Sequence, residues 1–288
     1  LQPDLGNRIL ADVRTFIKNS NATVYGLKTH LGFWRFLMLR HSVAYNQWLV
    51  NIVTAAEDRT QVQPLADLLA SKYPEIISVV NNITSRKAGT AIGEYEIGLK
   101  GQSSIKDKIG ALTFTISANS FFQTNSSGAF NLYNVVKRFA GLGGNQRVVD
   151  LYSGTGAIAI FLADSAREVI GIELTGSAVA DALDNCRKNE ISNCRFIQGD
   201  INQCLARLSQ SPDVMVIDPP RAGMHKNVVK QVLDMGPDRI VYVSCNPATM
   251  ARDLGMLQDR YSLLEVQPVD MFPHTYHIES VARLEITS

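Results

Sequence analysis

Two patterns of apolar residues divide the chain. In the second half, Val148–Leu151, Val169–Glu173, Arg195–Ile197, Asp213–Asp218 and Ile240–Ser244 are short, nearly unbroken apolar runs, and Ala157–Ala163 and Val179–Asn189 between them have helical character. Runs without polar alternation are the mark of strands buried on both faces, and strands alternating with helices predict a parallel sheet. Leu263–Val269 and Ser280–Ile286 have no helix between them. They are expected to pair as an antiparallel hairpin at the sheet edge, with their loop, Asp270–Glu279, returning to the carboxyl ends of the parallel strands.

The first half mixes the two periods. Leu5–Lys18 carries apolar residues at 5, 9, 10, 13, 16 and 17, the spacing of a helix face, and Asn19-Ser20-Asn21 ends it. Phe33–Arg40, Gln47–Thr54, Ile76–Ile83 and Leu112–Ser117 read as strands and Val62–Lys72 as a helix. These elements predict an α+β domain over residues 1–125, built on an antiparallel sheet. After Phe121-Phe122-Gln123-Thr124-Asn125, a helix over Ser127–Phe139 opens a second domain, residues 126–288. The predicted fold is therefore α/β, a doubly wound Rossmann-like sheet with an antiparallel edge hairpin, preceded by a smaller α+β domain.

The chain is organised around Val148–Glu173. A buried strand runs into Tyr152-Ser153-Gly154-Thr155-Gly156, a turn for small residues, then a helix, then a second strand ending on Glu173. In a doubly wound sheet such a turn lets backbone N–H groups approach a nucleotide, and the acid can accept the hydrogen bonds of a ribose diol. Gly154-x-Gly156-x-x-Ala159 with Glu173 also satisfies the dinucleotide fingerprint. Asp150 favours a different ligand. An acid at the end of the first strand would face a positive charge rather than a pyrophosphate, and a sulfonium amino acid such as S-adenosylmethionine suits it.

Other chemistry gathers at the same rim. Asp200, Asp218 and Cys245 each follow a strand, and Glu279 closes the loop before the last one. Asp200 can read a nucleoside edge or simply cap a helix. Asp218-Pro219-Pro220-Arg221 is a stiff loop, since neither proline extends a strand. A cysteine alone at a strand end is commonly a small hydrophobe. With an Asp and a Glu beside a cofactor turn, Cys245 reads as a nucleophile.

Composition narrows the class. With 45% apolar and 19% charged residues in 288, the chain is an ordinary globular one. No apolar run approaches the ~18 residues of a membrane span and no signal-peptide pattern opens the sequence. The first residue is Leu1, so the chain reads as part of something longer. Cys186, Cys194, Cys204 and Cys245 lack metal-ligand spacing and suggest reduced thiols in a cytoplasm, with no metal site. Charge is uneven: residues 1–147 hold 16 Lys and Arg against 9 Asp and Glu, whereas residues 148–288 hold 12 against 18. That split suits a first half that meets a polyanion and a second that holds a cation. Lys28, His30, Trp34, Arg35 and Arg40 are the exposed-looking candidates for RNA contact.

Taken together, Phe122-Gln123-x-Asn125, Asp150-Leu151-Tyr152-Ser153-Gly154-Thr155-Gly156, Asp218-Pro219-Pro220-Arg221, Ser244-Cys245-Asn246-Pro247 and His277-Ile278-Glu279-Ser280-Val281-Ala282 resemble the RNA 5-methyluridine methyltransferases, over nearly the whole chain. The resemblance implies S-adenosylmethionine as cofactor, held by Gln123, Tyr152, Gly154, Gly156, Glu173, Asp200 and Asp218, with Cys245 as nucleophile and Glu279 as base. Ala157 stands where family members often carry Asn. Ala248-Thr249-Met250-Ala251-Arg252-Asp253 is closer to the ribosomal RNA branch than to the transfer RNA branch, so the expected partner is a uridine of large-subunit (23S) ribosomal RNA, with tRNA the alternative and a monomer assumed. Bacterial members often carry an upstream RNA-binding barrel and iron–sulfur cysteines. This chain has no Cys before Cys186, so it does not support a cluster.

That chemistry needs these residue types. Uracil C5 attacks a methyl group only after a thiolate has added to C6, and a base must then take the C5 proton so that the thiolate can leave. RNA cytosine-5 enzymes place a further Cys after the proline of the fourth-strand loop, where this chain has Pro219-Pro220. Amino-methylating enzymes share such a loop without needing a nucleophilic Cys. An NAD-dependent oxidoreductase, resting on the glycine spacing alone, and cofactor-free RNA binding by the basic half are the readings from other classes.

Overall fold

The computed structural model describes residues 2–287 apart from Ala88, Thr90 and Ile92. The chain divides into two compact units, Leu1–Asp107 with Thr115–Asn119, and Lys108–Phe114 with Ser120–Ser288.

The first unit contains α1 (Asp4–Asn19), β1 (Trp34–Ser42), β2 (Gln47–Thr54), α2 (Arg59–Lys72), β3 (Ile76–Ile83) and β4 (Tyr95–Gly101). The sheet order is β1-β2-β3-β4. β1 and β2 form the expected antiparallel hairpin, but β2 and β3 are parallel. The antiparallel expectation fails here because α2 lies between them in sequence, and a helical crossover returns the chain to start the next strand in the same direction. Asp58 starts α2 by accepting the Thr60 and Gln61 N–H groups. Ile9 and Val13 of α1 and Leu65 and Leu69 of α2 pack with Trp48, Val50 and Ile52 of β2 into one core. Trp34 belongs to that core, 3% exposed with its indole N–H on Ser20 Oγ, so it is not the exposed aromatic expected. Arg35 donates to Thr84 O at 2.7 Å and Arg40 to Ala118 O, whereas Lys28 is exposed.

β5 (Ser104–Ile109) and β6 (Leu112–Ser117) pair with each other, and the division between the units runs through this hairpin. β4 and β5 are not among the expected strands. β5 alternates correctly, but its inward positions are Ile105, Asp107 and Ile109, and a buried acid in the middle hides the apolar signal.

The second unit continues with α3 (Ser126–Ala140), β7 (Arg147–Leu151), α4 (Ala157–Leu162), β8 (Glu168–Glu173), α5 (Gly176–Lys188), β9 (Cys194–Gln198), α6 (Ile201–Leu205), β10 (Val214–Ile217), α7 (Lys226–Met235), β11 (Arg239–Ser244), α8 (Pro247–Leu257), β12 (Tyr261–Val269) and β13 (Glu279–Ile286). Its seven strands lie in the order β12-β13-β11-β10-β7-β8-β9. β7 to β11 are mutually parallel, and β13 enters antiparallel between β11 and β12. The α/β expectation with a closing antiparallel hairpin holds. Val149 and Leu151 face a core with residues of α6, α7 and α8, so Val148 and Asp150 point to the opposite face. From β7 the chain winds one way through β8 and β9 and the other way through β10 and β11. The switch point therefore lies between β7 and β10, where α/β sheets open a crevice.

Candidate active site

The turn after β7 is built from left-handed residues. Tyr152, Gly154 and Gly156 have φ of 61°, 52° and 78°, which swings the chain from strand to helix within five residues. At Gly156 a Cβ would lie 2.7 Å from Phe196 Cζ and 3.0 Å from Ala182 Cβ, so only glycine fits. At Gly154 a Cβ would meet nothing within 4 Å. Tyr152 has no such freedom, and its conformation stores about 1 kcal/mol at the site. Ser153 N–H to Ile172 O, Gly156 N–H to Ser153 O and Asn185 Nδ2 to Thr155 O hold the turn. Glu173 braces it from β8: Oε2 accepts Gly154 N–H at 3.0 Å and Oε1 accepts Thr175 N–H at 2.8 Å. A carboxylate has about four acceptor positions, so one remains on each oxygen for a diol.

Against this turn lies a cleft of about 40 Å³, lined among others by Gln123, Tyr133, Asp150, Tyr152 and Asp218, with the exposed ring of Phe121 at its margin. Larger hollows, about 460 Å³ beside Phe161 and Asn189 and about 310 Å³ beside Phe16 and Lys72, contain no unpaired buried acid among the described residues. Asp150 is 0% exposed and neither of its oxygens has a hydrogen-bond partner. Burial first, then the charge of Asp218, pushes its pKa well above the carboxylate range; the Ala159 amide pulls the other way without reaching hydrogen-bonding geometry. Asp218 begins the next loop, its N–H on Leu151 O, and burial raises its pKa to about 6. Tyr133 of α3 is pushed upward by burial and then by Asp218, so its hydroxyl stays a donor. A buried acid without a partner is costly, and a cation is what would relieve it.

Strand register brings Cys245 and Glu279 to the same end of the β11–β13 ladder. Ser244 pairs with Ser280 at the end of the β11–β13 ladder, and Cys245 and Glu279 each follow one step beyond it. Glu279 is only 6% exposed. Burial and the neighbouring Asp218 raise its pKa to about 7, against the pull of Arg221. The Cys245 thiol is pushed up by burial and Glu279 and drawn down by Arg221, so Arg221 is the cation that favours a thiolate. The Asp218–Arg221 loop is clamped from α8. Asn246 Nδ2 and Thr249 Oγ1 both donate to Arg221 O at 3.2 Å, and Arg252 donates to Ala222 O and Met224 O. Asn246 also caps α8, whose N1 position is Pro247.

The sequence-derived residues thus fall into two groups. Gln123, Tyr152, Gly154 and Asp218 line the cleft; Gly156 and Glu173 shape its turn, and Cys245 and Glu279 stand at the same rim. Asp200 is exposed, lies outside the cleft lining, and caps α6 through Asn202 and Gln203 N–H. Asn125 caps α3 and donates to Met271 O at 2.9 Å, tying the Asp270–Glu279 loop to that helix. Tyr133 is an addition that no motif signals, being one apolar-face residue among several of α3. Arg221 was legible only as part of its loop. The described residues contain no cluster of His, Cys, Asp or Glu able to hold a metal ion, and no helix long and apolar enough to cross a membrane.

Residues 57–286 match the family described as tRNA (uracil-5-)-methyltransferase. The chain is 42% identical, over 99% of its length, to an uncharacterised RNA methyltransferase of Bacteroides thetaiotaomicron, and 41% identical, again over 99%, to one of Geobacter sulfurreducens. It spans 64% and 58% of those relatives. The crystal structure of Pyrococcus abyssi tRNA (uracil-54, C5)-methyltransferase in complex with S-adenosyl-L-homocysteine superposes with a TM-score of 0.75 at 32% identity, covering 95% of this chain and 65% of that one. A methyltransferase-like protein of Streptococcus mutans, 14% identical with a TM-score of 0.56 over 82% of this chain and 69% of its own, shares the fold alone. By its sequence match and its 42% identity to a relative, the chain belongs to the tRNA (uracil-5-)-methyltransferase family.

Proposed function

We propose that the protein transfers a methyl group from S-adenosylmethionine to C5 of a uridine in RNA, in the cytoplasm. The observation that carries this reading is one rim that holds both a buried unpaired acid, Asp150, beside a glycine turn and a cysteine within the field of a buried glutamate, Cys245 and Glu279. Family membership supports it, as does the S-adenosyl-L-homocysteine named with the Pyrococcus abyssi structure.

The residues fit the cofactor. Asp150 and Asp218 would face its positive end, Glu173 its ribose, Gly154 and Gly156 would let it approach the backbone, and Gln123 and Tyr152 would enclose it; Asp200 would reach it from the cap of α6. When bound, it supplies a methyl group on a sulfonium. Cys245, helped by Arg221, adds as thiolate to C6 of the uracil, which makes C5 nucleophilic. After transfer Glu279 takes the C5 proton, the C6–S bond breaks, and its electron pair returns to the thiolate. A pKa near 7 suits a group that must accept a proton at neutral pH and release it again.

For the RNA, the run Ala248–Asp253 supports a ribosomal uridine. The tRNA named for the Pyrococcus abyssi neighbour supports the alternative. The α+β domain of residues 1–125, within the basic first half of the chain and with exposed Lys28, is our proposed RNA-contacting domain, and neutralising Lys28 and Arg35 together should weaken RNA binding and flatten its salt dependence. The deciding experiment is methylation of separated ribosomal and transfer RNA with labelled cofactor, followed by mapping of the product. Calorimetry with S-adenosylhomocysteine and NAD runs beside it. Label in 5-methyluridine is expected, and saturable binding of NAD alone would overturn the reading.

A further inference from the structure

The loop from Asp270 to Ile278 is tightly held, yet it ends on the most exposed aromatic ring of the described residues. Met271 is fully buried and its carbonyl accepts from Asn125; Thr275 N–H and Oγ1 both donate to Phe272 O, and His277 N–H donates to Thr275 Oγ1. Tyr276, inside this ordered turn, is 88% exposed. Its ring leans on His277, with centroids 4.2 Å apart and planes at 41°. His277 Nδ1 in turn accepts from Arg221 Nη2 at 3.1 Å, which leaves the imidazole proton on Nε2. Phe272 meets the same imidazole edge-on at 6.2 Å.

A large ring exposed on a mobile tip would say little. Here the backbone order has already been imposed and the ring is supported from behind, so a planar ligand could stack on Tyr276 without ordering the loop first. The position selects the ligand. Glu279 lies three residues on, and Arg221 acts electrostatically on both Glu279 and Cys245, so the platform adjoins the reacting pair. It is a π-face backed by an imidazole and a guanidinium, the combination on which nucleobases stack irrespective of sequence.

We propose that Tyr276, supported by His277 and Arg221, stacks a nucleobase adjacent to the target uridine, so that the substrate segment is single-stranded on at least one side of that uridine. This rests on the reading of the site as an RNA uracil-C5 methyltransferase. Taking the uridine out of its stack leaves its neighbour without a partner, and Tyr276 replaces the lost face. It is a positioning residue: it contacts RNA beside the reaction and leaves the cofactor untouched.

The test uses short single-stranded RNAs with one uridine among adenosines, and the same RNAs with an abasic residue on its 5′ or its 3′ side. Binding is followed by fluorescence anisotropy, and methylation by label transfer, for the unmodified protein, Tyr276→Ala and Tyr276→Trp. Tyr276→Ala is expected to raise Kd and KM for intact RNA about 5- to 100-fold. Its Kd for S-adenosylhomocysteine, its Tm and its kcat at saturating RNA should stay unchanged. Tyr276→Trp should restore affinity. One of the two abasic RNAs should bind the unmodified protein and Tyr276→Ala equally, which identifies the stacked neighbour. Equal affinity of Tyr276→Ala and the unmodified protein for intact RNA, or a loss that persists on both abasic RNAs, would overturn the platform while leaving methylation by the unmodified protein intact. Failure of the unmodified protein to bind the short RNAs while it methylates ribosomal or transfer RNA would overturn the platform alone, and failure to methylate any of these RNAs would overturn the methyltransferase reading and the platform with it.

Discussion

Tyr242 of β11 donates its hydroxyl proton to Asp253 of α8 at 2.6 Å, and the same carboxylate oxygen accepts the Met224 N–H at 2.7 Å. Arg252 completes the group through Asp253 Oδ1 at 2.6 and 2.9 Å. One fully buried acid thus joins a core strand, the helix after Cys245 and the loop that begins at Asp218. Removing it in Asp253→Ala strands the Met224 N–H and the Tyr242 hydroxyl in the core. We expect a loss of about 2–5 kcal/mol in urea unfolding, from two buried donors left unsatisfied at about 1–3 kcal/mol each. Arg252→Ala, whose side chain is 49% exposed, should cost about 1 kcal/mol.

Cys245 and Glu279 should fail at different steps. Cys245→Ala is expected to form no covalent adduct with RNA, since nothing adds to C6. Glu279→Gln should add and transfer, then stall with the C5 proton in place, and accumulate a denaturation-resistant protein–RNA complex carrying labelled methyl. Gel electrophoresis under denaturing conditions distinguishes the two. Normal turnover by Glu279→Gln would assign the base to another group.

Stability should respond to pH through the rim acids in an unusual direction. Glu279 is raised from 4.5 to about 7 and Asp218 from 3.8 to about 6. Between those limits the folded protein binds more protons than the unfolded chain, so their contribution is present at low pH and is lost as pH rises through the folded values. Glu279→Gln and Asp218→Asn should therefore gain Tm over the unmodified ligand-free protein, and the gain should be larger at about pH 8 than at about pH 5. A difference independent of pH would mean that these carboxyls are not perturbed.

Asp150 should couple stability to binding. Replacing the unpartnered buried acid in Asp150→Asn should raise the Tm of the ligand-free protein and weaken S-adenosylhomocysteine by about 10- to 100-fold, equivalent to about 1.4–3 kcal/mol. Calorimetry and thermal melts on one preparation read both effects. Unchanged affinity would remove Asp150 from the cofactor site.

The two glycines of the turn should differ. Gly154→Ala meets nothing within 4 Å and carries only left-handed backbone strain, about 1–2 kcal/mol. Gly156→Ala adds a collision with Phe196 and Ala182 to similar strain, so its loss in chemical unfolding should be distinctly larger.

The rim was legible in the sequence because strand period and parallel winding are local properties. Once Val148–Leu151, Val169–Glu173 and Val214–Ile217 are strands joined by helices, their carboxyl ends share one edge, and Asp150, Glu173, Asp218 and Cys245 follow. The antiparallel return of β13 then adds Glu279 to that edge. Two elements with a buried acid inside their apolar face were not legible. β5 hides its alternation behind Asp107, and α8 dilutes its apolar face with Asp253, because in each case the acid is paid for by partners distant in sequence, Ser42 in one and Tyr242 and Met224 in the other. Only the tertiary structure decided that β2 and β3 run parallel, that Trp34 is core rather than surface, and that Asp200 caps a helix. It alone decided the electrostatics. Sequence names a cysteine and three acids, but whether a thiol is raised or lowered depends on which charges burial brings beside it. Here those are Glu279 and Asp218 against Arg221.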